Sequence, residues 1–336
     1  MTDRNLFDAR SHLLSREPLR YFWLYRITFL LIAIIYGAVV SQIPFEDFQD
    51  FNNYLVYPDT SWIKLLGLLE QGVLTVFSNE PLWLIINASL RNYLETETVV
   101  RLIIFGSAFS VCWLMLRYNQ KHFFWILVFL LMPMVLKNNL IHIRQGAAIA
   151  IFLCGWFSST RYLRWLFMGL APFIHSSFFI VLLVYFTAKG LTKLRLGPDL
   201  RTLVLLSLSA SIVIGLGWVA TVLRARQAEE FDFTVSVVSG LNFVFWFTIL
   251  VITFMEGRRF FREHSFEVGM IILYLVTYWF IEVTARIFES TFLLVLLAGL
   301  GLTGWRRFAF LAAISIYGVA GWIVRIKLPL LGFGVI

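Results

Sequence analysis

Long apolar segments alternate with short polar turns along most of the chain. A helix needs about 20 apolar residues to cross the hydrocarbon core of a bilayer, with a working range of roughly 17–25. Segments that approach this length lie at 22–41, 98–116, 122–137, 140–158, 162–188, 201–223, 238–256, 267–283, 286–303 and 308–326. The pattern therefore predicts an all-α polytopic integral membrane protein with about ten transmembrane helices.

Two apolar segments do not fit a simple span. Segment 81–94 is short, and segment 162–188 is long and contains Pro172. Irregular backbone at membrane depth is tolerated only where it is buried in protein or lines a watery cavity. We therefore expect these two segments to be re-entrant or broken, and to lie beside a cavity.

The composition agrees with this pattern. Hydrophobic residues make up 60% of the 336 residues and charged residues 14%, whereas soluble domains are about 45–50% apolar and about 25% charged. No stretch is polar enough for a soluble domain, so residues 1–336 are predicted to form a single transmembrane domain. Cys112 and Cys154 lie in apolar segments, which indicates small buried residues rather than a disulfide or a metal site.

The basic residues gather in short turns at 117–122, 161–164, 189–201, 258–262 and 306–307. Cytoplasmic loops carry such an excess of Lys and Arg, so the net charge of +8 indicates topology rather than a nucleic-acid partner. The short N-terminus 1–20 is placed in the cytoplasm. The acidic segment 42–80 is placed outside as an interfacial segment, in which residues 61–77 have the spacing of an amphipathic helix.

Polar residues that this topology leaves unexplained lie at the predicted outer ends of the helices. Ionisable groups at membrane depth cost about 2.5–3.5 kcal/mol on insertion scales, so they are candidates for a functional site. The set consists of Lys137, His142, Arg144, Gln145, His175, Arg224, Arg226, Glu282, Arg286 and Glu289.

The densest polar stretch is 138–145. Asn138, His142 and Gln145 follow the spacing i, i+4 and i+7, which predicts one helical face, with Arg144 on another side. The small residues from Gly146 onward would let a neighbouring helix approach closely. The alternative is a packed helix whose polar ends reach the interface.

Two further polar groups have both a functional and a structural interpretation. His175 follows Pro172, and a histidine there is either a base or hydrogen-bond donor or a satisfied structural residue. Glu282, Arg286 and Glu289 repeat at i, i+4 and i+7. They are either an ion pair that orders a turn, or an arginine that faces the same cavity as Arg144.

Several arginines around one outer cavity indicate an anionic ligand, because the planar guanidinium gives two parallel hydrogen bonds to phosphate. A lipid-linked diphosphate at the outer leaflet fits this requirement. The sequence contains no P-loop, no glycine-rich dinucleotide motif, no HExxH helix and no paired-cysteine motif. These absences disfavour ATP-driven transport and zinc chemistry, and we predict no metal and no cofactor.

Four short motifs resemble elements of the EpsG/Wzy-like family of exopolysaccharide and O-antigen polymerases. They are EPLW at 80–83, IRQGAA at 143–148, HSS at 175–177 and ARIF at 285–288. They occur in the family's order, and the resemblance spans roughly residues 45–300. Departures are Leu82-Trp83 in place of Gly-Tyr, Ser176 where Pro is common, and Glu289 after Phe288 where the family has Tyr-Phe.

The resemblance implies a GT-C-like fold and an inverting polymerase that needs no metal. Such an enzyme moves a growing glycan from a polyprenyl diphosphate carrier to a lipid-linked repeat unit, at the outer face of the bacterial cytoplasmic (inner) membrane. Its implied partners are the polyprenyl diphosphate-linked oligosaccharide, membrane lipids and a chain-length regulator protein.

The resemblance also implies roles for individual residues. Arg144 and Arg286 would neutralise the diphosphate leaving group, and His175 and Glu80 are the candidates for a base or an orienting group. The substrate-binding candidates are Asn139, His142, Gln145, Arg224, Arg226 and Glu282.

Other functions remain open at this point. A flippase or transporter of lipid-linked oligosaccharide also needs a basic cavity, but it usually has inverted repeats and a polar path across the whole membrane. An O-antigen ligase would have a large late outer loop, for which residues 224–237 are short. A membrane acyltransferase and a scaffold for a glycan-assembly complex are further alternatives.

Overall fold

A computed structural model describes residues 19–43, 50–222, 239–280 and 284–333. These residues form α-helices joined by short turns, with 3₁₀ turns at Gln120–His122, Ala171–Phe173 and Pro329–Gly332, and no strand occurs among them. The α-helices are α1 (Leu19–Gln42), α2 (Phe51–Gln71), α3 (Val73–Ser78), α4 (Pro81–Arg91), α5 (Thr96–Tyr118), α6 (Phe123–Leu130), α7 (Pro133–Leu140), α8 (Ile143–Trp156), α9 (Arg161–Leu170), α10 (Ser177–Lys193), α11 (Pro198–Val222), α12 (Leu241–Met255), α13 (Arg258–Glu263), α14 (Ser265–Thr277), α15 (Thr284–Glu289), α16 (Phe292–Leu300) and α17 (Gly304–Ile326). The prediction of an all-helical protein is confirmed.

Four described helices, α1, α5, α11 and α17, are long and apolar enough to cross a membrane. The helices α6 and α7 would make a fifth span if they are counted together, although they meet at an angle of 70°. The predicted ten spans are therefore not confirmed in the described part of the chain. Two of the predicted spans, 122–137 and 162–188, are divided into shorter helices, because Pro133 opens α7 and Pro172 lies in the 3₁₀ turn between α9 and α10.

Two of the shorter helices, α8 and α14, lie inside the molecule. Helix α14 is buried along almost its whole length and packs against α10 and α11. Helix α8 is also largely buried and packs against α5 and α9. By contrast, only 11% of the apolar window of α11 is buried. Polar residues on α8 are therefore enclosed by protein rather than facing lipid.

One of the two segments expected to be irregular, 162–188, is broken as predicted, and the re-entrant path expected for 81–94 stays a prediction. Segment 81–94 contributes only the short helix α4, and segment 162–188 is divided into α9, the 3₁₀ turn and α10. The expectation that Asn138, His142 and Gln145 share one face of a continuous helix is wrong. Helix α7 ends at Leu140, and α8 begins only at Ile143, so the helix is interrupted at residues 141–142.

The described part of the predicted outer segment forms α2 and α3. Helix α2 begins before the predicted amphipathic helix at 61–77, and the chain turns at Gly72 before α3. The Asp59 carboxylate accepts hydrogen bonds from Arg91 Nε at 2.6 Å and Thr96 Oγ1 at 3.0 Å. These bonds hold the pKa of Asp59 below its ordinary value. They tie α2 to the end of α4 and the start of α5.

The basic turns contact one another. Arg307 Nη2 lies 3.2 Å from His122 Nδ1, and Arg201 donates to Ser265 Oγ at 2.9 Å. Lys189 Nζ lies 4.6 Å from the centroid of the Trp165 ring. This grouping agrees with the prediction that these turns share one side of the membrane, and the orientation itself remains a prediction.

Candidate functional site

Glu80 occupies an unusual position between α3 and α4. Its backbone is left-handed, with φ 59° and ψ 51°, a region that residues other than glycine enter at a cost of order 1–3 kcal/mol. Pro81 follows directly and opens α4, and a proline disfavours the helical region for the residue before it. The turn holds the buried Glu80 side chain against α8 and the start of α10.

The Glu80 carboxylate joins three segments of the chain. Its Oε2 accepts a hydrogen bond from Arg144 Nη1 at 2.6 Å, and its Oε1 lies 2.9 Å from His175 Nδ1. The backbone N–H of Ser176, at the start of α10, also donates to Oε1 at 3.2 Å. Both oxygens are therefore hydrogen-bonded, and the negative charge lies at the positive end of a helix.

Aromatic rings of α2 cover the Arg144 guanidinium. Its carbon Cζ lies 5.9 Å from the ring centroid of Tyr54 and 5.5 Å from that of Tyr57. Both rings make edge contacts with Trp83 of α4, at centroid distances of 6.0 and 5.8 Å. A cation within about 6 Å of a ring face is attracted by the ring quadrupole, so these rings help to hold Arg144 in place.

A second set of polar contacts joins α8 to α15 and α10. Gln145 Nε2 donates to the backbone oxygen of Arg286 at 2.7 Å and to Ser290 Oγ at 3.1 Å. Ser290 Oγ in turn lies 3.1 Å from Ser177 Oγ. These bonds place Arg286 next to the start of α8, although the two residues are far apart in sequence.

A small cavity lies beside these contacts, with room for about one water molecule. Asn138, Asn139, Gly146, Glu289 and Ser290 line its polar part. Apolar side chains complete its wall: Val111, Val135, Ile149, Phe292 and Leu293.

The carboxylate of Glu289 reaches this cavity from the end of α15. Its Oε1 lies 3.6 Å from Lys137 Nζ, and the side chain is 5% exposed. This buried ion pair joins α7 to α15.

The basic residues of the site surround His142, which occupies the break between α7 and α8. Lys137, Arg286, His175 and Arg144 all lie within electrostatic range of its ring. Glu80 and Glu289 partly offset the charges of Arg144 and Lys137, and the positive groups gathered at this buried position favour an anionic ligand beside them.

The structure brings most of the predicted site residues together. Glu80, Arg144 and His175 are in direct contact. Asn139, His142 and Gln145 are buried beside them, and Arg286 is joined to them through its backbone oxygen. Arg224, Arg226 and Glu282 lie outside the described residues. Glu289 contacts Lys137, and the alternative of an ion pair within Glu282, Arg286 and Glu289 stays a prediction, because Glu282 lies outside the described residues.

Sequence reasoning missed several residues of the site. Tyr54 and Tyr57 support Arg144, Ser176 binds Glu80, and Ser290 links α8 to α10. The two tyrosines lie in the acidic outer segment with the spacing i and i+3, which would have placed both rings on one face of a helix. Ser176 belongs to the HSS motif, although only His175 of that motif was assigned to the site, and Ser290 carries no comparable signal, because isolated serines are common in apolar helices.

Comparison with known proteins gives one family. The model of the EpsG family matches residues 22–300, which is more than half of the chain. No curated protein and no solved structure matches the sequence or the fold, so the GT-C-like architecture stays an expectation.

Proposed function

Since the chain belongs to the EpsG family, a family of polysaccharide polymerase-like membrane proteins, we propose that it is a glycan polymerase. In this proposal it transfers a growing glycan from a polyprenyl diphosphate carrier to the sugar of a second lipid-linked repeat unit. The reaction takes place at the outer face of the bacterial cytoplasmic membrane.

The observation that carries the proposal is the meeting of separate motifs at one carboxylate. Glu80 comes from the EPLW motif, Arg144 from the IRQGAA motif and His175 from the HSS motif, and the three are in contact. Gln145 brings the fourth motif to the same place through the backbone of Arg286. Motifs that are distant in sequence but adjacent in space are typical of a shared site.

The charges around His142 suit a diphosphate leaving group. Negative charge develops on the diphosphate oxygens as the bond to the anomeric carbon breaks, and fixed guanidinium groups lower the barrier by stabilising it. Arg144 and Arg286 are assigned this role. Glu80 and the rings of Tyr54 and Tyr57 keep Arg144 in position, so that it does not need to reorganise during the reaction.

His175 is assigned as the base, and Glu80 as the group that orients it. A neutral imidazole that donates from Nδ1 to a carboxylate presents Nε2 as its acceptor nitrogen. In the proposed step, Nε2 takes the proton of the acceptor hydroxyl, whose oxygen forms the new bond to the anomeric carbon. The electron pair of the broken bond leaves with the polyprenyl diphosphate.

Purified protein supplied with lipid-linked repeat units tests the proposal. A ladder of polymers is the expected product, and Arg144→Ala should lower its formation by at least about 100-fold. Arg161→Ala, at an exposed arginine of a basic turn, is the matched control and should retain full activity. Both variants should insert into the membrane at the level of the unmodified protein.

The same assay distinguishes the alternatives. Repeat units that cross the bilayer without being joined would indicate a flippase, and glycan transferred to a lipid A core acceptor would indicate a ligase. Polymer of unchanged length from a well-inserted Arg144→Ala protein would refute the assigned role of Arg144.

A further inference from the structure

We infer that Gln145 is a positioning residue for the proposed reaction, which holds Arg286 in place beside Arg144 without contacting the substrate. The inference rests on the proposed function, in which both arginines stabilise the diphosphate leaving group. It differs from direct substrate binding, which is the role that the family resemblance implies for Gln145. The bound group remains the diphosphate, and Gln145 acts on it through Arg286.

The first argument is that Gln145 has no surface for a ligand. The residue is 1% exposed. Its Nε2 donates to the backbone oxygen of Arg286 at 2.7 Å and to Ser290 Oγ at 3.1 Å. A carboxamide nitrogen carries two hydrogens, so both of its donors are in use. Its Oε1 is buried as well. Any effect of Gln145 on the reaction therefore has to pass through the residues that it contacts.

The second argument is how the backbone oxygen of Arg286 is held. It accepts hydrogen bonds from the backbone N–H of Ser290 at 3.2 Å, from Ser290 Oγ at 3.1 Å and from Gln145 Nε2 at 2.7 Å. Helix α15 has only six residues, and isolated helices shorter than about 12–15 residues are marginal. The bond from Gln145 is the shortest of the three and comes from another helix, so it fixes α15 against α8.

The third argument is a chain of hydroxyl groups that continues from this oxygen. Ser290 Oγ donates to the backbone oxygen of Arg286, and it lies 3.1 Å from Ser177 Oγ. A hydroxyl group has one hydrogen, so Ser177 is the donor in the second contact. Ser177 lies two residues after His175, the assigned base. The chain therefore joins the segment that carries the base to the segment that carries Arg286.

The fourth argument is the need for both arginines to be in place before the reaction. Arg144 and Arg286 lie within electrostatic range of the His142 ring. Fixed charges stabilise a transition state because they do not reorganise during the step, and a misplacement of about 1 Å lowers a rate by about 100-fold. Arg144 is held by the Glu80 carboxylate at 2.6 Å. At the backbone of Arg286, the corresponding support comes from Gln145.

Steady-state kinetics of polymer formation by Gln145→Leu test the inference. Leucine fills a similar volume but cannot donate a hydrogen bond. We expect the kcat to fall at least about 30-fold, because Arg286 is no longer held in place. The KM for the lipid-linked acceptor should change less than about threefold, since Gln145 does not contact it.

Gln120→Leu is the matched control. Gln120 Nε2 also donates to the backbone oxygen of an arginine, Arg117, at 3.4 Å. This bond lies in a basic turn outside the site, so its loss should leave both the kcat and the KM unchanged.

A double-mutant cycle with Arg286→Ala separates a positioning role from a merely structural one. If Gln145 acts through Arg286, the double variant Gln145→Leu/Arg286→Ala should have the kcat of Arg286→Ala alone, within about threefold. A general loss of structure would instead multiply the two single losses.

Binding of inorganic diphosphate, measured by isothermal titration calorimetry, gives a readout that does not depend on polymer formation. The Kd should rise at least about tenfold in Gln145→Leu, because Arg286 no longer binds the anion in its fixed position. It should rise no further when Arg286→Ala is added, and it should be unchanged in Gln120→Leu.

Three results would overturn the inference. A raised acceptor KM with an unchanged kcat in Gln145→Leu would mean that Gln145 binds the substrate directly. Multiplied losses in the double variant would mean that Gln145 only maintains the fold. An unchanged kcat together with an unchanged diphosphate Kd would mean that Arg286 does not depend on Gln145.

A second variant covers the case in which Gln145→Leu does not insert into the membrane. Ser290→Ala keeps the bond from Gln145 to Arg286 but removes the hydroxyl chain, so the kcat should fall about three- to tenfold. An unchanged kcat in this variant would contradict the inference. If the unmodified protein forms no polymer, the proposed function itself fails, and diphosphate binding still tests the role of Gln145.

Discussion

Two buried carboxylates adjoin the first turns of α8, and they differ in how completely they are hydrogen-bonded. Both oxygens of Glu80 have close partners, namely Arg144, His175 and Ser176. Glu289 has one long contact, 3.6 Å to Lys137, and its second oxygen has no donor among the described residues. The side chains of the two residues are equally exposed, at 5%.

The difference indicates that the two carboxylates have different roles. A carboxylate with all its hydrogen bonds made holds neighbouring groups in fixed positions and has little capacity left for a ligand. A carboxylate with a free oxygen beside a cavity retains that capacity. We call the first region the Glu80 centre (Glu80, Arg144, His175 and Ser176) and the second the Glu289 cavity (Asn138, Asn139, Gly146, Glu289 and Ser290).

Neutralising Glu80 should have the largest effect on the free energy of unfolding, because all the hydrogen bonds of the Glu80 centre involve its carboxylate. Glu80→Gln leaves the largely buried Arg144 without its counter-ion, and removing one partner of a buried pair costs about 3–5 kcal/mol. We expect a loss of this size in the free energy of unfolding, measured by detergent titration in mixed micelles. Polymer formation should fall with it, since Arg144 and His175 both lose their orienting group.

The exposed pair Arg259–Glu263 provides the matched control. Its atoms lie 2.9 Å apart, but its side chains are 84% and 40% exposed, and exposed pairs contribute at most about 1 kcal/mol. Glu263→Gln should therefore be nearly neutral. Similar losses in Glu80→Gln and Glu263→Gln would show that the Glu80 centre has no special structural role.

Gly146→Ala should perturb the Glu289 cavity, with an intermediate effect. A Cβ atom at position 146 would overlap the backbone oxygen of Asn138 and lie 3.0 Å from Asn139 Oδ1. The end of α7 would have to move away from α8, at a cost of about 1–3 kcal/mol. We expect a lower melting temperature.

Gly190→Ala is the control for this change, since Gly190 lies in α10 and a Cβ there meets nothing within 4 Å. It should be neutral or stabilise by up to about 1 kcal/mol through its better helix propensity. If Gly146→Ala is also neutral or stabilising, the close approach of α7 to α8 does not contribute to the stability of the protein.

The two regions also differ in how far the sequence predicts them. Arg144 and His175 could be identified, because ionisable residues in apolar surroundings are rare, and Glu80 could be identified only through the resemblance of its motif. Their contacts could not be predicted, because Glu80 is 64 residues from Arg144 and 95 from His175. From the sequence, Glu80 was a candidate for either the base or an orienting group. In the structure both of its oxygens are hydrogen-bonded, which favours the orienting role.

The Glu289 cavity was harder to predict, because it depends on a break in a helix. The spacing of Asn138, His142 and Gln145 fits a continuous helix, and tertiary packing overrides it at residues 141–142. Pro133 was a usable signal for the nearby bend between α6 and α7. The Lys137–Glu289 contact joins residues of α7 and α15 and has no local signature. The helical class, by contrast, follows directly from the apolar periodicity.

Replacing Tyr57 should have the smallest effect on the free energy of unfolding. It also distinguishes the two regions, because the aromatic rings that support Arg144 belong to the Glu80 centre. Tyr57→Leu removes the ring that lies 5.5 Å from the Arg144 guanidinium and should cost about 1 kcal/mol in unfolding free energy. Tyr57→Phe keeps the ring and should cost less than half as much. Tyr93→Leu, at an 86% exposed ring, should cost nothing measurable. An equal cost for Leu and Phe at position 57 would mean that the hydroxyl group, and not the ring, supports the site.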